Sequence, residues 1–593
     1  MRHINGHGKC AAPDYETCHA RFPLFNFPPQ ARERANESLR EFHVNAYALL
    51  AAFFLAIPAA YTAHAASSSA DEEAGKRIYL EGMLPSGEPL RGRLDNGVVL
   101  SGSDAACVAC HRRSGLGGGE GQNTVRPIAG RLLFESPPVR NKPRPVSPFS
   151  VVKPRPEYTL AALARALHSG AAPGGRMLDA LMPRFELRDE EVMQLSLYLK
   201  RLGPSTAPGV TDSEIHFATV VAPDAAPAQE AAMLAVLRAF FADKNAGTRQ
   251  EQRRREIGRN VVGSEQMYRG YRDWQLHVWK LDGPQESWPA QLERHYRRQP
   301  VFAILSGIGA GDWRPMHEFC EENEIPCLFP NADFPPLAED GYSSFYFSRG
   351  LALDAEVLAT HLSDQELDDG IVQVYRDDAG GRESAYALRE ALQRRGFGNV
   401  VDHPLPGGQA ATERFWIRLL DAERPGSLIL WLGDADISGL PLGEDAPPWL
   451  NSLYLSGRQV AQPDRLQPAA GWLDKIRIVH PFEMRERLAP RMARMGAWLR
   501  ARNVPPADER IQANAYFAAT IAGDALAHMD ENFSRDYFIE RVEHMTEQSL
   551  FPSVYPRLSL GPGQRFASRG AYVTGYAQDG ERRIVPLSEW IVP

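Results

Sequence analysis

Five consecutive residues, Cys107-Val108-Ala109-Cys110-His111, carry the most legible chemistry in this chain of 593 residues. Two thiols with two residues between them can each add across one vinyl group of a porphyrin, and the short spacer lets both reach the same macrocycle edge. A histidine directly after the second thiol is carried under the ring, where its imidazole can ligate iron. The cofactor these residues specify is one covalently attached haem. Three other readings compete. Half of a zinc site would want a second Cys/His pair at zinc spacing, and none follows. A redox dithiol would want a surrounding βαβ pattern and leaves His111 without a role. A short disulfide is ordinary in an exported protein, but the flanking sequence supplies further features of a haem site.

Iron held in this way takes a sixth ligand. The residue best placed to supply it is Met182, in Leu181-Met182-Pro183-Arg184-Phe185, on a loop before a helical pattern. A thioether is a soft ligand that favours ferrous iron and raises the potential. Met177 and Met193 are rivals; Met193 falls inside the helical stretch, where packing explains it. His168 is a second candidate, although its helical setting points to a packed or exposed ring. The expected iron ligands are therefore His111 and Met182, with Cys107 and Cys110 as covalent anchors.

Three helical patterns must position these residues. Residues 71–80 form a short helix with Gly75 and Tyr79 on one face. Residues 155–170 space Leu160, Leu163, Leu167 and His168 at three and four positions. Residues 190–202 align Val192, Leu195, Leu199 and Leu202 before Gly203-Pro204 stops the helix. The ground between is loop-rich, and a small helical fold of this kind lacks core unless a porphyrin supplies apolar mass. The stretch from Gly75 to Leu202 resembles the class I c-type cytochromes. The matching features are the Gly75/Tyr79 helix, the Cys107–His111 motif, Pro127, the Met182-Pro183 loop and the final helix bearing Tyr198. The resemblance implies that the first and last helices cross with Gly75 against Tyr198. It also implies that Pro127 presents a backbone carbonyl to His111, fixing its tautomer. A proline-rich insertion between Arg131 and Pro156 departs from the family's compactness. Arg112 and Arg113 stand where haem propionates, a docking partner or solvent would meet them.

Apolar content of 44%, charged content of 24% and a net charge of -8 are those of a soluble globular protein. No dense basic block with interleaved aromatics marks a nucleic-acid surface. The length asks for several domains. Arg32, Arg34 and Arg40 precede an apolar run over 46–60, and Ala63-His64-Ala65 offers small residues for cleavage, the pattern of an export signal. An uncleaved anchor stays open, because the run to Ala66 is nearly long enough to span, although Pro58 argues for cleavage. Either way the bulk of the chain is expected in the periplasm, with membrane association only if that segment is retained. Cys10 and Cys18 precede the run and leave with it, so Cys320 and Cys327 remain as either a disulfide or two buried free thiols.

Beyond Pro208 the pattern changes to alternating strands and helices. Strands are expected at 215–221, 301–305, 371–375, 427–432, 453–456 and 476–479, with helices such as 231–242, 382–395 and 512–528 between them. The stretch resembles the type I periplasmic solute-binding proteins, of the branched-chain amino-acid receptor kind. The resemblance is carried by Val301-Phe302-Ala303-Ile304-Leu305-Ser306-Gly307, Ile325-Pro326-Cys327, the Tyr375-Arg376-Asp377-Asp378 turn and the strand near Tyr572. It implies a ligand cleft between two lobes, at the carboxyl ends of strands. By position Ser306, Gly307, Asn331, Arg376, Asp377 and Asp434 are the cleft candidates, although turn and cap roles compete at each. No nucleophile–base pair, phosphate loop or metal cluster appears, so no enzyme activity is expected.

The whole reads as a multidomain chain: an export region over 1–65, a small all-α cytochrome domain over 66–205, and a two-lobed α/β domain over 206–593. The expected function is electron transfer with a periplasmic redox partner protein, the second domain binding a small molecule or that partner. The alternative is a periplasmic receptor in which haem is a sensor or structural element. A third reading, an enzyme with Met182 displaced from the iron, is also carried.

Overall fold

The computed structural model describes residues 69–593 except 121–122, 136–155, 204–206, 257–271, 337–340, 366–369, 410, 461–465, 467, 530–532, 549–551, 562 and 578–582. The expected export region and most of the proline-rich insertion lie outside the described residues.

The expected helices of the N-terminal module form at 69–81, Leu160–Ser169 and Asp189–Arg201. Local chemistry sets their ends. Thr159 caps the second by accepting from the backbone of Ala162, and Gly170 closes it in the left-handed region at φ 75°. The third begins with Asp189, Glu190 and Glu191 and ends with Lys200 and Arg201, which suits the helix dipole at both ends. Its first turn is fastened by the backbone N–H of Arg188 donating to Glu191 at 2.7 Å. Ala162, Leu163, Ala166, Leu167, Val192, Leu195 and Leu199 bury one core together with Ile78 and Tyr79.

The module is not all-helical, as the sequence reading had it. Arg91–Arg93 pairs antiparallel with Val99–Ser101 and with Arg184–Phe185, making a three-stranded sheet. A separate hairpin joins Gly118–Glu120 to Asn123–Val125. Strands of two or three residues are too short to show a period in sequence, and they form because the loop carrying Met182-Pro183 folds back against Gly92.

The rest is a pair of α/β lobes. In the first, the sheet order runs Asn331–Phe334, Ile308–Asp312, Glu214–Val221, Ala303–Leu305, Cys327–Leu328, Ser344–Phe345, with Asp273–Lys280 also paired to Glu214–Val221; every pairing is parallel. In the second, Val400–Leu405, Ile371–Arg376, Ser427–Trp431, Ser452–Ser456 and Ile476–His480 run parallel, and Tyr572–Tyr576 and Ile584–Pro586 finish the sheet antiparallel. Sheets covered by helices on both faces bury their strands completely, and Ala303–Leu305 and Ser427–Trp431 are buried at every residue.

The chain passes between the lobes after Phe345, after His480 and after Ala567. The first and third passages lie side by side: Ala567 donates to the carbonyl of Tyr346 at 3.1 Å and Ser568 to that of Phe347 at 2.7 Å. Cys320 and Cys327 are joined by a disulfide that ties helix Arg314–Glu322 to the next strand, settling the alternative the sequence left open. Residues Ala74–Pro593 form one compact unit. Among the described residues no helix is long and apolar enough to cross a membrane.

Candidate functional site

Cys107 caps the single helical turn Val108–His111, so both thiols and the imidazole issue from one turn of backbone. Cys107 is buried, Cys110 is exposed and both are free, while the chain's other described cysteines are paired. Burial pushes the Cys107 thiol up to about 12.

His111 is buried, and burial lowers its imidazole to about 4. Its Nδ1 lies 3.1 Å from the backbone carbonyl of Arg126. A carbonyl can only accept, so Nδ1 carries the proton and Nε2 keeps its lone pair. The carbonyl expected from Pro127 is thus supplied one residue earlier. The peptide unit ahead of the proline turns its oxygen toward the ring, and Pro127 constrains the residue that donates it. The loop is held at both ends: Tyr79 Oη donates to the carbonyl of Arg112 at 2.6 Å, and the N–H of Gly117 to that of His111 at 3.1 Å.

Met182 is half-buried and packs on the cluster that contains Cys107. Its rivals are placed differently. Met177 is exposed, and Met193 lies inside helix Asp189–Arg201. His168 Nε2 is 2.8 Å from the carbonyl of Leu187, a structural contact that uses the ring. Met177 and Leu181, each 60% exposed, precede Met182 on the same loop. Two large apolar side chains in solvent beside a soft donor make a surface that wants covering. Paired free thiols, a neutral buried imidazole with an open lone pair and this apolar loop fit a covalently held haem. His111 and Met182 would hold the iron and Cys107 and Cys110 the ring.

The arginines after the motif face another domain. Arg113 lies over the Tyr342 ring at 3.9 Å from its centroid and 3.9 Å from Asp536, while Arg112 approaches Glu543 at 4.0 Å. Ser114 donates from its backbone N–H and hydroxyl to the Glu540 carboxylate at 2.8 and 2.6 Å. The loop that follows His111 is thereby docked on helix Arg535–Gln548 of the first lobe. No feature near Glu540 in sequence marks this contact, which spans 426 residues.

The cleft candidates gather as two groups, one per lobe. Ser306 and Gly307 interrupt a strand at φ 57° and 123°, and Phe329 interrupts its neighbour at φ 54°. Asn331 spans the two breaks, donating to Ser306 Oγ at 3.1 Å and the Gly307 carbonyl at 3.2 Å, and it accepts from Asn514 at 2.9 Å. In the second lobe Arg376 is bound by the Asp436 carboxylate and by the carbonyls of Pro406 and Gln409. Asp377 pairs with Arg382 at 2.7 Å. Asp434 opens the short helix Asp434–Ile437. Arg376 is thus held within its own lobe. Phe334 reaches from the first lobe to the helix Ala379–Arg394 of the second, where a β-carbon on Gly380 would meet its ring at 2.3 Å.

Sequence reasoning missed the buried pair Arg458–Asp354. Arg458 donates to Asp354 at 3.1 Å and to Ser348, on the first passage between lobes, at 2.8 Å. An aspartate flanked by Leu353 and Ala355 inside the largely apolar helix Gly350–Ser363 was the available signal.

No family model matches the chain, and no curated relative does. Among solved structures, a fatty acid ABC transporter substrate-binding protein from Thermomonospora curvata is 14% identical, covering 66% of this chain and 95% of that one at a TM-score of 0.47. A branched chain amino acid ABC transporter from Thermus thermophilus with bound valine is 12% identical over 65% and 98%, at 0.48. A leucine binding protein from Thermotoga maritima is 13% identical over 64% and 99%, at 0.46. The two-lobed α/β architecture stands on the strand orders themselves.

Proposed function

We propose that this is an exported monohaem c-type electron-transfer protein whose two-lobed domain binds a small molecule or a redox partner protein in the periplasm. One observation carries the reading: a helical turn presents two free thiols and a buried, neutral imidazole whose Nδ1 is already given to the Arg126 carbonyl. When bound, haem supplies reversible one-electron chemistry at its iron. The protein's own residues do the rest. Arg126 orients the imidazole, Met182 offers a soft donor that favours the reduced state, and the loop from Arg112 to Gly117 keeps the motif in register. The neighbours' titles name fatty acids and branched-chain amino acids as the kind of solute their proteins handle, and a small organic solute is the proposed cleft ligand here.

The test is expression in a host with active haem lyases, followed by haem staining of a denaturing gel. Wild type should carry covalent pigment, and C107A or C110A should lose the covalent band. A colourless wild type with both thiols open to alkylation overturns the proposal. A second reading, a solute receptor in which haem is a structural element, is favoured by the docking of Ser114 on Glu540. It predicts a solute that raises the melting temperature and leaves the midpoint potential unchanged.

A further inference from the structure

We infer that Glu540 is a positioning residue for the haem loop: from the first lobe it clamps Ser114, sets the haem's reduction potential and makes that potential pH-dependent. The inference rests on the haem reading above and goes beyond it, because it assigns a lobe residue a role in the redox centre.

The geometry is specific. Ser114 follows His111 by three residues, and both its N–H and its hydroxyl end on one carboxylate, at 2.8 and 2.6 Å. Ser114 Oγ in turn accepts from the N–H of Leu116 at 3.1 Å, so the carboxylate organises the turn as a whole. Ser114 and Glu540 are 2% and 6% exposed. Little solvent therefore screens the charge from the loop.

The neighbouring charged groups have ion-pair partners of their own, and Asp536 and Arg112 also act on Glu540, the first raising and the second lowering its carboxyl. On its own helix, Asp536 faces Arg113 at 3.9 Å and Glu543 faces Arg565 at 2.7 Å and Arg112 at 4.0 Å. Tyr79 and Tyr342 approach from helix 69–81 and from the segment before Ser344–Phe345; burial holds both phenols well above their ordinary range, so they stay neutral. Among the described residues no cation forms an ion pair with Glu540. Burial raises its carboxyl to about 7, against the lowering effect of the two Ser114 bonds.

The sign follows. An ionised Glu540 stabilises ferric iron relative to ferrous, so the potential falls as pH rises through the carboxyl's range. Reduction then takes up part of a proton at Glu540, by reciprocity of the linkage.

The experiment is spectroelectrochemistry of the full-length holoprotein from pH 5 to pH 9, for wild type, Glu540→Gln, Ser114→Ala and Glu543→Gln. Wild type should show a falling step near neutrality. E540Q, whose amide can accept from the Ser114 N–H and donate to the Ser114 hydroxyl but has lost the charge, should show no step and a potential above wild type at the alkaline end. S114A should move the step to higher pH, and E543Q should retain it. Redox-difference infrared spectra should show a protonated-carboxyl band in wild type that E540Q lacks. A coloured E540Q that tracks wild type at every pH overturns this inference alone, as does a step that survives in E540Q and vanishes in E543Q. If E540Q does not fold, an S114A step at the wild-type pH overturns it. A colourless wild type overturns the haem reading and takes this inference with it.

Discussion

Gly75 lies against the backbone carbonyl of Gln194, so closely that a β-carbon would stand 2.1 Å from that oxygen. Beside this contact the rings of Tyr79 and Tyr198 meet at 5.3 Å, tilted by 55°. The first and last helices of the N-terminal module therefore cross through a glycine on one backbone and through paired tyrosines one turn along. The crossing expected between Gly75 and Tyr198 is divided between two contacts.

The first prediction follows from that distance. Gly75→Ala must push the helices apart or bend one of them, since neither backbone can yield by side-chain rotation. Overpacking of this kind costs about 1–3 kcal/mol. A melt followed in the haem band should fall by several degrees, and an unchanged midpoint would mean that the helices do not cross there.

Legibility in the sequence divides along physical lines. The Cys107–His111 motif, the capped helices and the parallel strands were readable because each is local: a spacing, a stripe or a run of apolar residues states it within a few positions. The carbonyl on His111 was misplaced by one residue, since sequence cannot say which side of Pro127 turns its oxygen inward. The short sheet of Arg91–Arg93, Val99–Ser101 and Arg184–Phe185 was missed because its strands have only two or three residues and the last joins from a distant part of the chain. Arg376 was legible as a strand-end residue, yet its engagement by Asp436 depends on a partner sixty residues on. Glu540 gave no local signal, because a solvated and a buried glutamate read alike until the chain is folded.

A second prediction concerns stability rather than potential. The Glu540 carboxyl is raised to about 7 in the fold. Between its ordinary range and that value the folded state binds more protons than the unfolded one, so this group's contribution to stability falls as pH rises. A shift of that size corresponds to at most about 3 kcal/mol, present at pH 4.5 and lost by pH 8. Denaturant titrations at the two pH values should show a smaller loss in E540Q than in wild type. Equal losses would place the carboxyl in solvent.

A third prediction concerns Arg458 and Asp354, whose side chains are 2% and 0% exposed. Asp354 also accepts from Ser456 at 2.7 Å, and Arg458 reaches Ser348 beside the first passage between lobes. Removing one member of a buried pair strands the other charge, at a cost of about 3–5 kcal/mol. Asp354→Ala should therefore lower the denaturation midpoint of the two-lobed domain sharply, whereas Asp354→Asn, which keeps a hydrogen-bond acceptor, should do so less. If the two variants melt together below wild type, the charge of Asp354 and not its hydrogen bonds holds Arg458; if both melt with wild type, the pair does not hold this junction.

The last prediction tests the sixth ligand. Met182 is half-buried on a loop where Met177 and Leu181 are exposed, and the short strand Arg184–Phe185 anchors the loop immediately behind it. That anchorage lets the thioether be removed without unfolding the loop, because Phe185 stays paired with Gly92 and buried in the module's core. Met182→Ala should retain covalent haem and lose the methionine-to-iron charge-transfer band. Its spectrum should become high-spin or show a substituted ligand, and its midpoint potential should fall, since the soft donor that favours ferrous iron is gone. Met177→Ala should leave the spectrum and the potential at their wild-type values. If the two variants exchange these outcomes, Met177 is the ligand and the loop must close over the ring by a register five residues away from the one described.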